Sequence, residues 1–204
     1  MKAFHVLIPA RLESQRLPNK PLLDVAGLPL IVRVWQQACQ SQAASVHVAT
    51  DSEAIAEAVR SHGGDVVMTE HDHDSGTARI AEAAAHMDVP EAAIIVNLQG
   101  DEPAMPPACI DQVAVLLDAS HAAPMATLWL PIHEPAAFVD ANTVKLVCDA
   151  AGRALYFSRA PIPVRRQAPQ ATDWGRRHVG LYAYRANALK QWRALPASSL
   201  GQAE

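Results

Sequence analysis

Three cations, Arg11, Arg16 and Lys20, fall within ten residues of a 204-residue chain whose first three quarters are otherwise acidic. A guanidinium offers a bidentate fork and an ammonium a point charge, so the trio suits the oxygens of a polyphosphate. Far along the chain, Gln99-Gly100-Asp101-Glu102-Pro103 sets a carboxylate beside a glycine. Asp101 can hold a Mg²⁺ that bridges phosphate oxygens, and Gly100 lets backbone approach a ligand with no side chain in the way. Neither GxGxxG nor GxxxxGK[ST] occurs, so a nucleotide bound here is held by a scheme other than the Rossmann fingerprint or the Walker loop. His71-Asp72-His73-Asp74 has the residue types of a metal cluster, but it precedes a helix start and reads as a solvated loop with an N-cap, not a zinc site.

Both cation-bearing and carboxylate-bearing segments follow apolar runs that read as buried strands. Ala3–Ala10, Val46–Thr50, Asp65–Thr69 and Ala93–Leu98 are the strands. The amphipathic stretches Pro29–Ser41, Ser52–His62, Ser75–Met87 and Pro106–Ala119 are the helices between them. Strand–helix units in series, with strands apolar on both faces, specify an α/β fold with a mostly parallel, Rossmann-like sheet flanked by helices. In the order 3-2-1-4, strands 1 and 4 flank the switch point, where ligands bind, and the two polar segments face one crevice. Met125–Pro131 reads as extended. After about residue 140 the rhythm changes to a smaller antiparallel, β-rich part: a hairpin of Val144–Asp149 and Ala154–Ser158, a Pro/Arg/Gln-rich loop Ala160–Asp173, a strand His178–Tyr184 and a helix Ala186–Ala194.

Composition sets the bounds. Half the chain (50%) is apolar and 19% charged, which is globular, and the length fits one large domain. The longest apolar runs fall short of a membrane span, and the N-terminus lacks a signal-peptide core, so a cytoplasmic protein is expected. Cys39, Cys109 and Cys148 lie in apolar stretches and read as reduced core thiols. Trp129, Trp174 and Trp192 read as core, and with aromatics at 5% there is no stacking platform for nucleic acid. The net charge of -4 hides an asymmetry: residues 1–152 carry 8 Lys+Arg against 19 Asp+Glu, residues 153–204 carry 9 against 2. A basic final quarter on an acidic body suits a wall facing an anion as well as a solvated face.

The opening Ile8-Pro9-Ala10-Arg11 with Ser14, Arg16-Leu17-Pro18 and Lys20-Pro21-Leu22 resembles the signature of sugar cytidylyltransferases. The resemblance is closest to the 3-deoxy-manno-octulosonate (Kdo) cytidylyltransferase family. It extends through Val48-Ala49-Thr50-Asp51, His73-Asp74-Ser75-Gly76-Thr77, Val96–Pro103, Ala154–Arg159 and Arg177–Tyr184, in family order over nearly all of the chain. It implies a nucleotide-diphospho-sugar transferase type of fold and transfer of a cytidylyl group from CTP to Kdo, with Mg²⁺, for lipopolysaccharide synthesis. Residue by residue, it implies that Arg11, Ser14, Arg16 and Lys20 form the triphosphate loop. Ser75, Gly76 and Thr77 would lie near the nucleotide, and Asp101 would be a metal ligand, with Arg11, Lys20 and Asp101 at the centre of catalysis. Gln99, Arg159, His178 and Tyr182 would meet the sugar acid.

The resemblance also implies a homodimer, with CTP and Kdo as the small-molecule partners and no nucleic acid or membrane. Family chains carry a further helix and strand and a second Asp ligand beyond the point matching Glu204, so a C-terminally truncated single domain is expected. Within it, residues 1–140 would be the nucleotide part and 141–204 the sugar-acid and dimerisation part. Two other readings remain open: a non-catalytic CTP-binding or dimerising remnant, and a cytidylyltransferase for another acidic sugar such as 8-amino-Kdo or sialic acid.

Overall fold

The first apolar run forms strand β1 (Phe4–Ala10), with Phe4, Val6, Leu7 and Ile8 wholly buried. The structure is a computed structural model, and it describes residues 2–12, 17–87, 89–164 and 174–192. A 3-10 turn at Lys20–Leu22 and a ribbon of β2 (Asp24–Val25) and β3 (Leu28–Pro29) lead into α1 (Leu30–Ala38). The series continues with β4 (Ser45–Thr50), α2 (Glu53–Arg60), β5 (Asp65–Met68), α3 (Gly76–His86), β6 (Ile94–Asn97) and α4 (Pro107–Ala119). Then come β7 (Met125–Ile132), α5 (Pro135–Val139), β8 (Lys145–Cys148), β9 (Ala154–Ser158), β10 (Gly175–Arg185) and α6 (Ala186–Trp192).

Two compact units make up the chain: residues 1–126 with 181–204, and Thr127–Gly180. The division differs from the boundary read near residue 140, because the second unit is inserted between two parts of the first. In the first unit, β5, β4, β1 and β6 run parallel in that order, the 3-2-1-4 arrangement read from the sequence. The last residues of β10 add antiparallel to β6, with Tyr182 opposite Asn97 and Arg185 opposite Ile94. Helices cover both faces: α3 packs with α6, while α1 packs with α2 and α4. Leu7, Ala49, Ile80, Ala83, Ile95, Tyr184 and Leu189 form a continuous buried cluster. Each such large apolar side chain contributes about 1.5–3 kcal/mol on burial.

Local chemistry starts the helices where the sequence places them. The Ser52 hydroxyl accepts from the Ile55 N–H (3.4 Å) and the Ser75 hydroxyl from the Ala78 N–H (3.1 Å), capping α2 and α3. The β2–β3 ribbon was absent from the sequence reading, since two-residue strands carry no periodicity. Its turn places Ala26 (φ 54) and Gly27 (φ 86) both left-handed, the geometry of a tight hairpin.

In the second unit β8 and β9 pair antiparallel, with the Arg153 N–H closing the turn on Asp149 Oδ1 (2.8 Å), as the hairpin reading expects. β8 also pairs with the start of β10, Arg176 opposite Leu146. Among the described residues, Ile132, Phe138 and Leu146 are its buried apolar side chains, and the Phe138 ring lies 6.0 Å from that of Trp174. Short α5 went unread because five residues are too few to show a period. Most of the loop read at Ala160–Asp173, residues 165–173, and the end of the helix read to Ala194 lie outside the described residues.

Candidate active site

β1 has β4 on one side and β6 on the other, so the chain changes direction of sheet growth between β1 and β6. The carboxyl ends of these two strands are where an open α/β sheet leaves a crevice. Arg11 leaves the end of β1 with an exposed side chain. Asn19, left-handed at φ 56, donates its N–H to the Leu12 carbonyl (3.2 Å) and starts the 3-10 turn that presents Lys20. Asn is among the residues that tolerate this conformation, and the bond ties residue 19 back to residue 12. The Lys20 ammonium meets Asp101 Oδ2 at 2.6 Å, with side chains 37% and 50% exposed. The structure thus joins two residues 81 positions apart, one from each polar segment. Ser14 and Arg16 lie outside the described residues.

Gly100 explains how the two ends come so close. A Cβ on it would lie 2.8 Å from the Pro9 carbonyl oxygen, inside any tolerable contact, so only glycine lets β6 run out against β1 here. The N-terminal turn of α3 reaches the same place. A Cβ on Gly76 would lie 3.2 Å from Pro9 Cγ and 3.8 Å from Gln99 Oε1, which places the Ser75-Gly76-Thr77 segment beside Gln99.

Two residues of this region escaped the sequence reading. The Tyr184 hydroxyl lies against Thr77 and Asn97, and burial pushes its pKa above the ordinary phenol value. Asn97 is fully buried, and its amide makes no well-aligned hydrogen bond among the described residues. An amide left so costs about 1–3 kcal/mol. The signals were present: Tyr184 shares a strand face with Tyr182, whose ring stacks on it at 6.0 Å, and Asn97 interrupts an apolar run.

The His71–Asp74 loop is exposed at His71, Asp72 and Asp74, the solvated segment before an N-cap that the sequence suggests, but His73 turns inward. His73 donates from Nε2 to Glu82, with both side chains nearly buried, and His71 Nδ1 lies 2.8 Å from Asp51 Oδ2. Buried Arg79 joins the loop to β4, donating to Asp51 Oδ2 (3.2 Å) and Thr69 Oγ1 (2.6 Å). Burial alone would raise the Glu82 pKa, but the Glu70 N–H and the bond from His73 outweigh it and hold the carboxyl below its ordinary value. The loop is pinned because α3 carries the partners, which sequence spacing cannot show.

Arg159 and His178 belong to the second unit. The His178 ring stands edge-on to Phe157 at 5.0 Å, with Nε2 3.1 Å from Thr127 Oγ1. Arg159 is exposed, donates to the Ala141 carbonyl (3.0 Å) and forms no ion pair among the described residues. Three expectations about packing fail. Cys39 is exposed just past the end of α1, and Trp129 and Trp192 are 44% and 45% exposed. Trp129 is covered instead by the Arg176 guanidinium, 4.5 Å from the ring centre.

The cytidylyltransferase family matches residues 5–204. The chain belongs to that family. This cytidylyltransferase is 50% identical to the 3-deoxy-manno-octulosonate cytidylyltransferase of Chromohalobacter salexigens, over 96% of its own length and 79% of the relative's. It is 49% identical to the protein of the same name from Nitrosococcus oceani, over 99% of its own length and 81% of the relative's. A solved CMP:2-keto-3-deoxy-manno-octonic acid synthetase complexed with CTP superposes with a TM-score of 0.91 at 41% identity, covering 99% of this chain and 82% of that one. The Rossmann-like fold read from the sequence is thereby shown, as is the family resemblance. No helix among the described residues is long and apolar enough to cross a membrane.

A Mg²⁺ would find one carboxylate here, not a cage: among the described residues no group of three His, Cys, Asp or Glu could hold a metal. That donor set fits Mg²⁺ bound with a triphosphate, because this ion keeps its waters and takes one or two carboxylates together with substrate phosphates.

Proposed function

We propose that this cytidylyltransferase converts CTP and Kdo to CMP-Kdo and pyrophosphate, activating Kdo for lipopolysaccharide synthesis in the cytoplasm. The observation that carries the reading is the meeting of Lys20 and Asp101 at the switch point. It brings together a cation suited to phosphate oxygens and a carboxylate suited to Mg²⁺, in a chain half identical to named Kdo cytidylyltransferases.

The reaction is an in-line displacement at the α-phosphorus. The anomeric oxygen of Kdo forms the new P–O bond, the bond to pyrophosphate breaks, and the hydroxyl proton passes to water. Little covalent work falls to the protein; it must position the nucleophile and stabilise charge on the leaving group. Arg11 and Lys20, with Ser14 and Arg16 of the same loop, bind the β- and γ-phosphate oxygens. As the triphosphate arrives, Lys20 exchanges its bond to Asp101 for one to phosphate, freeing the carboxylate for the metal. Bound at Asp101, Mg²⁺ would supply charge neutralisation on the pyrophosphate. Ser75, Gly76 and Thr77 line the nucleotide at the N-terminus of α3. Gln99, Arg159, His178 and Tyr182 hold the sugar acid, Arg159 through its carboxylate.

A homodimer is part of the same reading. β9 is the terminal strand in the sheet order and exposes Leu155 (66%) and Tyr156 (53%), a surface that a second copy of the chain would cover. Light scattering on the wild type and a Tyr156→Glu variant tests it; a monomeric wild type refutes it.

Pyrophosphate release with CTP, Mg²⁺ and Kdo, each omitted in turn, tests the activity. Release that needs all three supports transfer. Folded protein that binds CTP but releases nothing would refute catalysis by this chain, and release that favours sialic acid or 8-amino-Kdo over Kdo would refute the sugar.

A further inference from the structure

Lys145 on β8 has a wholly buried side chain, and the reaction described above makes no use of it. Its ammonium donates to the carbonyls of Asp140 (2.8 Å), Thr143 (2.6 Å) and Arg159. Three donors meet three acceptors, so the group is fully satisfied. Burial lowers its pKa; the Asp140 charge opposes that and the Arg159 charge adds to it.

An apolar side chain could fill this space without the desolvation a buried charge suffers. What the ammonium does, and methionine cannot, is tie three backbone points together. Two lie in the 140–143 turn after α5, and the third is Arg159, one residue past the end of β9. The same turn supplies the Ala141 carbonyl that accepts from the Arg159 guanidinium (3.0 Å). Arg159 is therefore held to one turn at both its backbone and its head group, and Lys145 is the clamp that sets that turn against β9.

We propose that Lys145 is a positioning residue that aims the Arg159 guanidinium at the carboxylate of the acidic sugar, an inference that rests on the Kdo reading of Arg159. Two cations lie side by side here, Lys145 enclosed with the Asp140 charge acting on it and Arg159 exposed with no ion pair among the described residues. A carboxylate ligand completes that charge arrangement.

Titration calorimetry on the full chain tests it. CTP is titrated alone, and Kdo in the presence of a non-hydrolysable CTP analogue, with the fitted stoichiometry reporting the folded fraction. The proteins are wild type, Lys145→Met, Lys145→Gln, Arg159→Ala and the Lys145→Met/Arg159→Ala double variant. Lys145→Met is expected to weaken Kdo binding about tenfold, as loss of a supporting contact behind a ligand does, while CTP affinity stays within about twofold. Lys145→Gln, which keeps donors on a shorter stem, loses less. The double variant binds Kdo no more weakly than Arg159→Ala alone, because the clamp acts through that residue.

Wild-type Kdo affinity in folded Lys145→Met, beside an impaired Arg159→Ala, would overturn the positioning role and leave the reading of Arg159 standing. Unchanged Kdo affinity in Arg159→Ala would overturn that reading and the proposal with it. Equal losses for CTP and Kdo, or failure of both single Lys145 variants to fold, would also overturn it, since Lys145 would then support the unit as a whole.

Discussion

Replacing Gly100 with alanine tests whether the close approach of β6 to β1 serves catalysis. The new Cβ would lie 2.8 Å from the Pro9 carbonyl oxygen, against the 3.4 Å where ordinary contact begins, so about 0.6 Å must be found. The obstructing atom is backbone of a buried strand and cannot rotate away. Gly100 does not hold a left-handed φ, so the cost is steric and not conformational. Overpacking of this kind costs about 1–3 kcal/mol. For a chain of this size that lowers Tm by about 2–12 °C. The displacement passes directly to Asp101, the next residue. Since a 1 Å error in a reacting geometry can cost about 100-fold, a shift of roughly half that predicts about a tenfold fall in kcat. Pyrophosphate release at saturating CTP and Kdo, measured well below Tm, reads the second effect apart from the first. A lowered Tm with wild-type kcat would show that the contact matters for packing alone, and wild-type values of both would refute the argument.

Lys20→Ala should leave stability within about 1 kcal/mol, because its ion pair with Asp101 is half exposed. It should raise the Kd for CTP by about 10- to 100-fold through loss of a charge-assisted phosphate bond, and an unchanged Kd in calorimetry would remove the triphosphate loop from the reading. Glu82 has a folded pKa below its ordinary 4.5, so its ionised form adds stability that is complete above about pH 4.5 and is lost as pH falls through the lowered value. The Tm gap between wild type and Glu82→Gln should be widest at neutral pH and close on acidification below 4.5; a gap constant from pH 7 to 3 would show that the charge plays no part. Cys39 is exposed, but partial burial and the Asp65 carboxylate push its thiol pKa up. Mass spectrometry should therefore find slow iodoacetamide labelling at neutral pH that Asp65→Asn accelerates.

The parallel half of the fold was legible because its signals are local. Each strand is an apolar run, and Ser52 and Ser75 mark helix starts with their own hydroxyls. The pairing of Lys20 with Asp101 was also within reach, since the strand order puts both segments at the switch point. What stayed hidden depends on partners distant in sequence. The loop from His71 to Asp74 is polar and mostly exposed, yet Glu82 on α3 draws His73 in and Arg79 donates to the His71 carbonyl. Lys145 is an unremarkable cation in the sequence, and only the meeting of a turn with the end of β9 reveals its three carbonyls. Exposed Trp129 misled for the converse reason: aromatic character favours burial, and a guanidinium lid at Arg176 was invisible.

The antiparallel addition of β10 beside β6 bears on how the chain is made. The flank of β6 stays open until residues 181–185 have left the ribosome, and α6, which packs on α3, follows later still. Until then an apolar edge at Ile94–Asn97 faces the cell unpaired, the kind of surface that recruits neighbouring strands. The first unit is thus finished only after the inserted one has been synthesised, and a nascent chain stalled before residue 181 is a candidate for chaperone capture.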